Sequence, residues 1–569
     1  MGKSTSNLYD VKPAKTQTPN APLAEYTAAN APLPTHPATK TVVLVCDGVK
    51  LAITYNLSGA LRRVRHTHGA VRVLVWLGPA EDEDETRSVF TLLERLWDQA
   101  DKNDANGSKT LTHSSIQELL NGFLQRRIEL QPGAIPATSS PMWVYLARFH
   151  AQPWFTRVWI IQEVAVSSSA LMMCGRAESD WHKVGFSSLV LYAHILQDYP
   201  VMIGENPAFW GFYSHIANCA TMWNWSLSNI TGRSTNRLCD LLEDARDFEA
   251  TDPRDKVFAL LGLPYASATL ADFRSDPLLL VPDYTRSHDQ VYRDVTRKPI
   301  KEMRSLDVLS SVNHDEDALS KSPSWVPRWN RKRYSSALEL CTIRPFYQAC
   351  SDLPTSLYES AHEDILSLRG LIFDTVTSVG HIINTMEYSL NERASDPTLA
   401  VHSWIDDMST TETYPIGEPL DAVYSITLVA NSRDGFVPAD ENLTQHLADF
   451  YAYLIGYFQL TLPDRPIDTA LREAAKSGNG SRFSVADPLV CDFRRLFTTS
   501  KGYIGLGPSA LREGDLVCVL FGGIVPFTLR QEDGVYRLVG ESYVHGLMHR
   551  EAIQEMIDGQ LSEMTFDIH

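Results

Sequence analysis

Strand-like hydrophobic patterns open the ordered part of the chain. Thr41 to Cys46 is apolar and β-branched, which predicts a strand. Asp47-Gly48 then predicts a turn, and Val49 to Thr54 predicts the returning strand of a hairpin. The continuous apolar run from Arg72 to Pro79, which contains Trp76, is typical of a strand buried on both faces, as in parallel sheets.

An acidic run, Glu81 to Glu85, separates this strand from a predicted helix. The helix is indicated by apolar residues at helical spacing, namely Val89, Leu92, Leu93 and Leu96. Because the helix dipole favours negative charge at a helix start, the acidic run is interpreted as a solvated loop and helix N-terminus. A metal site is the alternative that such a run leaves open.

The periodicity changes twice in the rest of the chain. Residues 186–345 carry mainly helical spacing, whereas residues 346–569 mix strands and helices and end in β structure. Asp364 to Val376 predicts a strand in which Gly370 forms a bulge. Further strands are predicted at residues 515–520, 525–530 and 535–539, the last two joined by the turn Glu532-Asp533-Gly534.

Composition and charge narrow the functional classes. Residues 1–40 are rich in Pro, Ala and Thr without periodicity, which predicts a disordered arm. The net charge of −18 argues against nucleic-acid binding and against adhesion to anionic membranes. The sequence contains no apolar run long enough to span a bilayer. Its eight scattered cysteines include no Cys-x-x-Cys pair, which favours reduced thiols and a cytoplasmic location.

The segment Pro153 to Glu163 is the richest in candidate chemistry. It is predicted to be a helix that starts at Pro153 and carries one apolar stripe through Trp154, Val158, Ile161 and Ala165. Trp159 and Glu163 are neighbours at i, i+4, with Gln162 between them, whereas Arg157 must find a partner elsewhere. A carboxylate beside an indole could act as an acid, a base or an electrostatic stabiliser. The alternative is that Glu163 pairs with a basic group and fixes packing.

A second segment, Asp252 to Leu263, follows the rules of a helix with capped ends. Asp252 is predicted as the N-cap and Asp255 as an acid in the first turn, and Gly262 is predicted to end the helix. Only Arg254 and Lys256 lack a local helical role. They are therefore candidates for salt bridges with another part of the protein.

The sequence lacks the common catalytic motifs. It contains no glycine-rich phosphate loop, dinucleotide fingerprint, His-Glu-x-x-His zinc helix or Gly-x-Ser-x-Gly elbow. His545 and His549 stand four residues apart and could bind a metal if they were helical. Gly546 between them favours a turn instead, so we predict no metal site.

In order and spacing, the motifs after residue 40 resemble the fungal heterokaryon incompatibility (HET) domain proteins. The two segments described above take part in this resemblance. The other matching segments are Val45–Gly48, Tyr55–Arg63, Val73–Gly78, Pro282–Tyr284, Val291–Asp294, Pro323–Pro327, Gly502–Gly505 and Gly540–Gly546. The resemblance marks Trp76, Trp154, Arg157, Trp159, Gln162, Asp252, Arg254, Asp255 and Lys256 as motif residues with a structural role.

The resemblance implies a fungal cell-death or self/non-self signalling effector. HET domains are similar to Toll/interleukin-1-receptor (TIR) domains, which implies a flavodoxin-like α/β core. The predicted fold class is therefore α/β plus α+β, with an incomplete TIR-like domain over residues 41–185, a helical region over 186–345 and a C-terminal module over 346–569 whose end is β-rich.

The resemblance also suggests an activity. Some TIR domains cleave NAD with a catalytic glutamate, which on this chain would be Glu163, with NAD as a substrate and no tightly bound cofactor. One alternative is a non-enzymatic module that self-associates or binds a recognition partner protein. The other is a degenerate, non-functional paralogue.

The chain departs from the family in its first α/β segment. The family's opening strand, Ala-Leu-Ser-Tyr-x-Trp-Gly, and its Asp-x-x-Cys-Ile-Asn-Gln block have no match here. Only six residues separate Arg65 from Arg72, where the family places a strand, a loop and a helix. A parallel sheet without these strands is expected to expose an edge and to lose core.

Overall fold

The computed structural model describes the chain in two compact units, Met1–His68 and Gly69–His569. The described residues are 42–46, 49–53, 73–102, 131–165, 167, 169–205, 209–231, 238–261, 263, 282–314, 323–332, 337–338, 347–358, 362–383, 414–433, 437–461, 466–480, 482–483 and 490–569. The predicted disordered arm, residues 1–40, lies outside them. The predicted domain boundaries stay predictions.

The first unit contains the predicted hairpin. Strands β1 (Val42–Cys46) and β2 (Val49–Ile53) pair antiparallel, in a register that runs from Val42 opposite Ile53 to Cys46 opposite Val49. The predicted pairing of the two strands is confirmed, whereas the predicted turn at Asp47-Gly48 lies outside the described residues.

The second unit begins with a three-stranded sheet of β3 (Val73–Trp76), β4 (Ala170–Cys174) and β5 (Ala177–Asp180). β3 runs parallel to β4, and β5 is antiparallel to β4. Val75 is buried in the core, but Leu74 is 62% exposed and Trp76 is 54% exposed. The prediction that this strand is buried on both faces is therefore wrong, because the core covers only the face that carries Val75.

Helix α1 (Glu83–Lys102) confirms the interpretation of the acidic run. Three acids occupy its first turn, and Asp82 accepts hydrogen bonds from the N–H groups of Asp84 and Glu85. Its apolar positions are buried, namely Val89, Leu92, Leu93 and Leu96. Within the described ranges, the structure contains no group of three or more His, Cys, Asp or Glu residues that could hold a metal ion.

The described parts of the predicted helical region, residues 186–345, are mainly helical, and the bounds of the region stay a prediction. Its helices and the preceding ones are α2 (Met142–His150), α3 (Ile160–Ala165), α4 (Trp181–Glu205), α5 (Phe209–Thr231), α6 (Leu238–Asp244), α7 (Asp255–Phe258) and α8 (His288–Met303), followed by a 3-10 helix (Asp307–Ser311). Large aromatic side chains fill the core between them: Trp97 packs edge-on against Phe186 at 5.3 Å, and the Trp181 indole donates to Ser226 Oγ at 3.1 Å. In the part of the chain that the structure describes, no helix is long and apolar enough to cross a membrane.

The C-terminal module is built around one long strand, β7 (Leu366–Ile382). The other strands are β6 (Leu357–Tyr358), β8 (Ser432–Arg433), β9 (Val437–Pro438), β10 (Arg494–Thr499), β11 (Ile504–Pro508), β12 (Leu516–Leu520), β13 (Phe527–Glu532), β14 (Val535–Glu541), β15 (Tyr543–Val544) and β16 (Glu563–Ile568). The helices are α9 (Leu420–Leu428), a 3-10 turn (Ala439–Asn442), α10 (Leu443–Thr461), α11 (Thr469–Ala474) and α12 (Glu551–Ile557).

The large sheet closes on itself. Its order is β12-β13-β14-β16-β7-β10-β11-β15, and β12 also pairs with β7. The path β12-β13-β14-β16-β7 therefore returns to β12, and the predicted β-rich end is a barrel.

Gly370 does not form the predicted bulge. It pairs regularly with Leu520 on one side and with Met564 on the other. A Cβ at this position would lie 2.5 Å from the Val519 carbonyl oxygen, so glycine is needed for close strand approach. The register shift falls at Phe373, between the pairs Ile372–Cys518 and Asp374–Val517.

Mixed α/β structure with a C-terminal barrel confirms the coarse fold class. The N-terminal sheet has three described strands, one of them antiparallel. The TIR-like, flavodoxin-like core therefore stays a prediction. No disulfide joins the six cysteines whose side chains are described, and all six are buried.

Candidate functional site

The candidate site is centred on the Pro153–Glu163 segment, whose first half is not helical. Helix α3 begins only at Ile160. The Val158 N–H donates to the Glu249 carbonyl at 3.0 Å, and the Glu249 N–H donates to the Thr156 carbonyl at 2.5 Å. The predicted helix start at Pro153 is therefore wrong, because these peptide groups bond to a distant segment instead of to their own helical turn.

The predicted apolar stripe is mostly buried in spite of this. Val158, Ile161 and Ala165 have almost no exposed surface, and Trp154 is partly buried. The Trp154 ring packs edge-on against Trp181 with centroids 5.5 Å apart. Trp159 also lies partly buried against the same core. The two tryptophans of the segment thus anchor it to the core.

Glu163 is the unusual group of the segment. It is only 8% exposed, and no hydrogen bond or salt bridge to its side chain occurs among the residues that the structure describes. Burial raises the pKa of Glu163 to about 7, and attraction to the Arg157 guanidinium opposes the shift. A carboxyl with this pKa can hold or release a proton near neutral pH.

The predicted ion-pair alternative for Glu163 is not what the structure shows. Arg157 is exposed and its backbone pairs with Glu249, so its guanidinium acts on Glu163 only at a distance. No salt bridge between Arg157 and Glu163 occurs among the described residues, although attraction to the Arg157 guanidinium lowers the pKa of Glu163. The catalytic role of Glu163 stays a prediction.

The second segment forms a tighter and shorter structure than the sequence predicts. Helix α7 spans only Asp255–Phe258, and a turn precedes it. Asp252 accepts the Arg254 N–H at 3.0 Å, so it caps a turn two residues ahead of the helix and is not its N-cap. Val257 and Leu260 are buried, and the predicted stop at Gly262 lies outside the described residues.

Arg254 binds both its own segment and residues 284–286. Its guanidinium binds both oxygens of Asp252 and donates to the carbonyls of Tyr284 and Arg286, at 2.5 and 2.9 Å. The hydrogen bond from Arg254 holds the pKa of Asp252 below its usual value. The guanidinium of Arg254 also lies over the Tyr284 ring, 5.1 Å from the ring centroid. Arg254 thus joins the second segment to residues 284–286.

Lys256 joins the two motif segments. It is 6% exposed, and its ammonium donates to the carbonyls of Ala245, Arg246 and Phe248. Burial lowers the pKa of Lys256 to about 8. The loop it holds leads directly into Glu249, the residue whose backbone pairs with Thr156 and Val158. Its role is therefore to bind carbonyls, whereas the sequence suggested a salt bridge.

A cavity of about 520 Å³ opens beside the second segment. Asp252, Arg254 and Asp255 line one side of it, and Ser287 and His288 line the other. Hydrogen bonds to neighbouring residues fix two of these side chains. Tyr284 donates to Asp255 at 2.6 Å, and Ser287 caps helix α8 through a capping box with Gln290. Sequence reasoning missed Ser287 and His288, although the Ser-x-x-Gln pattern at 287–290 could have indicated the helix start.

The remaining candidates lie apart from this site. Trp76 is exposed on β3, and Gln162 is half-buried beside Glu163 in the chain. Gly546 lies in a turn with φ +79°, so His545 and His549 do not share a helical face. His545 Nε2 bonds Glu418 at 2.5 Å instead. Glu163 does not line the 520 Å³ cavity.

Comparison with known proteins supports the predicted resemblance. The Het-6 beta-barrel domain family matches residues 481–558, which include strands β10 to β15 but neither β7 nor β16. The chain is also similar to Heterokaryon incompatibility protein 6, OR allele, of Neurospora crassa, at 24% identity over 85% of this chain and 77% of that protein. No solved structure matches. The resemblance to fungal HET-type proteins is therefore confirmed, and a heterokaryon incompatibility function is supported at the level of the family.

Proposed function

We propose that this protein is a self/non-self signalling effector of the heterokaryon incompatibility type that acts through contact with another protein. The observation that supports it is the open face of β3. Leu74 and Trp76 stand two residues apart on one face of this strand, 62% and 54% exposed. Large apolar side chains exposed together are typical of interaction surfaces.

The backbone of β3 supports the same proposal. β3 pairs with β4 on one side, and no other described strand pairs with its second edge. An unpaired strand edge presents N–H and C=O groups to which an extended segment of a partner can add. The exposed face and the free edge lie on the same four residues, so a partner strand could use both.

Expression of variants in a fungal host tests this proposal. Leu74→Ser and Trp76→Ser should abolish growth arrest or cell death caused by overexpression, because they remove the apolar contact while leaving the core intact. Ile557→Ser is the matched control, since Ile557 is 68% exposed on α12 of the barrel module. Wild-type killing by both β3 variants, at equal protein level, would contradict the proposal.

NAD cleavage at Glu163 is the second candidate function. The observation that favours it is a buried carboxyl without a partner in the described structure and with a pKa near 7. Such a group suits proton transfer or stabilisation of positive charge that develops in a ribosyl group. The residues that would bind NAD are not assigned, since Glu163 does not line the 520 Å³ cavity.

Nicotinamide release from NAD by the purified protein tests the enzymatic candidate. Glu163→Gln keeps the shape of the side chain and should lower the rate by 100-fold or more, on the order of a lost acid–base group. Glu178→Gln, at an exposed position of β5, is the control. Equal rates for the wild type and Glu163→Gln would remove Glu163 from the chemistry.

A further inference from the structure

The 3-10 helix Asp307–Ser311 lies between the barrel and the helical region. It contacts α6 of the helical region and β14 of the barrel. Its last two residues, Ser310 and Ser311, are 6% and 4% exposed. The proposed function uses neither this 3-10 helix nor the charged side chains around it.

A buried carboxylate fixes the 3-10 helix to the barrel. Glu541 of β14 pairs with Arg494 of β10 at 2.5 Å, and each side chain is 3% exposed. The Glu541 carboxylate also accepts a hydrogen bond from the Ser310 hydroxyl and the Leu338 N–H, the latter at 2.6 Å. Because a buried carboxylate with several donors is held in one place, Glu541 sets the position of the 3-10 helix against the barrel.

A buried guanidinium fixes the other side of the same 3-10 helix. Arg246, which follows α6, is 3% exposed and donates to the Ser311 carbonyl. It pairs with Glu243 at 2.9 Å and lies over the Trp329 ring, 4.8 Å from the ring centroid. Arg246 therefore joins the 3-10 helix to the loop of residues 245–249.

This loop reaches the segment that carries Glu163. The Lys256 ammonium donates to the Arg246 carbonyl at 2.8 Å and so holds the loop from its other side. Three residues later, the Glu249 carbonyl accepts the Val158 N–H at 3.0 Å, two residues before α3 begins. An unbroken series of contacts thus runs from the barrel to the start of the helix that carries Glu163.

We propose that the barrel positions the segment Thr156–Glu163 through this series, with Glu541 and Arg246 as the positioning residues. Contiguous buried ion pairs and hydrogen bonds carry energetic coupling between distant parts of a protein. In a close-packed interior, a shift of one buried charged group displaces its partners. A change in the barrel, such as the binding of a partner there, would therefore reach Glu163. The coupling rests on neither proposed function, because it concerns only the position of the segment.

Amide hydrogen exchange in the full chain tests the coupling from the barrel side. Glu541→Ala should raise exchange at the N–H groups of Val158 and Glu249 by about tenfold. Asp515→Ala is the matched control, because Asp515 is also 2% exposed and also pairs with an arginine, but within the barrel. It should leave these two amides unchanged. Equal increases in both variants, or no increase in Glu541→Ala, would overturn the proposal.

A milder variant keeps the test valid if Glu541→Ala does not fold. Ser310→Ala removes only the hydroxyl that bonds to Glu541, and it should raise exchange at the same two amides by about threefold. Ser425→Ala is the control, since Ser425 is a fully buried serine of α9 whose hydroxyl donates to the Ala422 carbonyl. Unchanged exchange in Ser310→Ala would contradict the coupling.

Combining two variants separates coupling in series from general loosening. Arg246→Met interrupts the series closer to Val158 than Ser310→Ala does. Adding Ser310→Ala to Arg246→Met should therefore give no further increase in exchange at Val158 and Glu249. If the two increases multiply, the residues act independently and the proposed series is wrong.

Discussion

The C-terminal barrel closes its sheet, whereas the three-stranded sheet of β3, β4 and β5 leaves one edge without a described partner strand. In the barrel, β7 pairs with β12, β16 and β10 along its length, and Gly370 has a partner strand on both edges. Leu74 and Trp76 on β3 have no comparable cover. Closure removes the edges to which other chains could add, and an open sheet keeps them.

The two regions also differ in whether their buried charged groups have partners. In the barrel, the buried Arg530 and Asp515 form a bidentate ion pair at 2.8 Å. Arg530 also donates to the Ala510 carbonyl, and Asp515 accepts the Arg512 N–H. Glu163, near the open sheet in the chain, is buried without any such partner in the described structure. A barrel that carries buried ion pairs suits a rigid frame, whereas exposed edges and an unpaired carboxyl are features that functional sites often carry.

The largest expected effect is in the barrel, at the buried pair of Asp515 and Arg530. Asp515→Ala should lower the free energy of unfolding by about 3–5 kcal/mol, because it leaves Arg530 buried without its carboxylate. Urea unfolding followed by tryptophan fluorescence measures this. Glu532→Ala, which removes a half-exposed pairing with Arg537, is the control and should change stability by less than about 0.5 kcal/mol. Equal effects would mean that the barrel does not depend on its buried pairs.

Glu163→Gln should raise the free energy of unfolding, whereas Asp515→Ala should lower it. The pKa of Glu163 is raised from 4.5 to about 7 in the folded state, so the folded protein binds more protons than the unfolded chain between these values. Its contribution to stability is complete below pH 4.5 and is lost as the pH rises through 7. At pH 8 the Gln variant should therefore be more stable than the wild type by about 3 kcal/mol.

The pH dependence provides the control for Glu163. The stability difference between the two proteins should grow from pH 4.5 to pH 7 and stay constant above it. A Gln variant that is less stable than the wild type at pH 8 would indicate a favourable ion pair for Glu163. Glu163 would then be a paired buried charge, as Asp515 is in the barrel.

Lys256→Met tests the link between the two motif segments. The variant keeps the length of the side chain but loses the bonds to the carbonyls of residues 245, 246 and 248, so we expect a loss of about 2 kcal/mol. Hydrogen exchange should increase at the N–H groups of Val158 and Glu249, which depend on the position of that loop. Lys476→Met, at a side chain 76% exposed, should leave both unchanged. Unchanged hydrogen exchange in Lys256→Met would show that Lys256 does not link the two segments.

The same comparison explains what the sequence could predict. Strands β12, β13 and β14 and the β1–β2 hairpin follow from local alternation and turn residues, and their observed bounds are close to the predicted ones. Strand β16, which closes the barrel, is not predicted. The start of α3 could not be, because the peptide groups of Thr156 and Val158 bond to Glu249, about ninety residues away. The bulge at Phe373 rather than at Gly370 likewise depends on the register with β12.

The candidate site was predictable only in part. Glu163 was singled out from its neighbours in the sequence, but its lack of a partner is a property of the packing around α3. The carbonyl cage of Lys256 arises from a loop that no local pattern indicates. Contacts between segments far apart in sequence determine the surroundings of both Glu163 and Lys256. Local helix propensity and capping rules do not predict such contacts.

The smallest expected effect on stability is at β3, and it bears most directly on the open edge. Leu74→Ser and Trp76→Ser should change the free energy of unfolding by no more than about 0.5 kcal/mol, because both side chains are mostly in solvent. Val75→Ser, one position away and 2% exposed, should cost about 2–4 kcal/mol by the loss of a core side chain. Chemical denaturation of the three variants measures this alternation along a single strand. A stability loss at Leu74 or Trp76 as large as at Val75 would show that the face is covered in solution, and the open edge would then be part of the core.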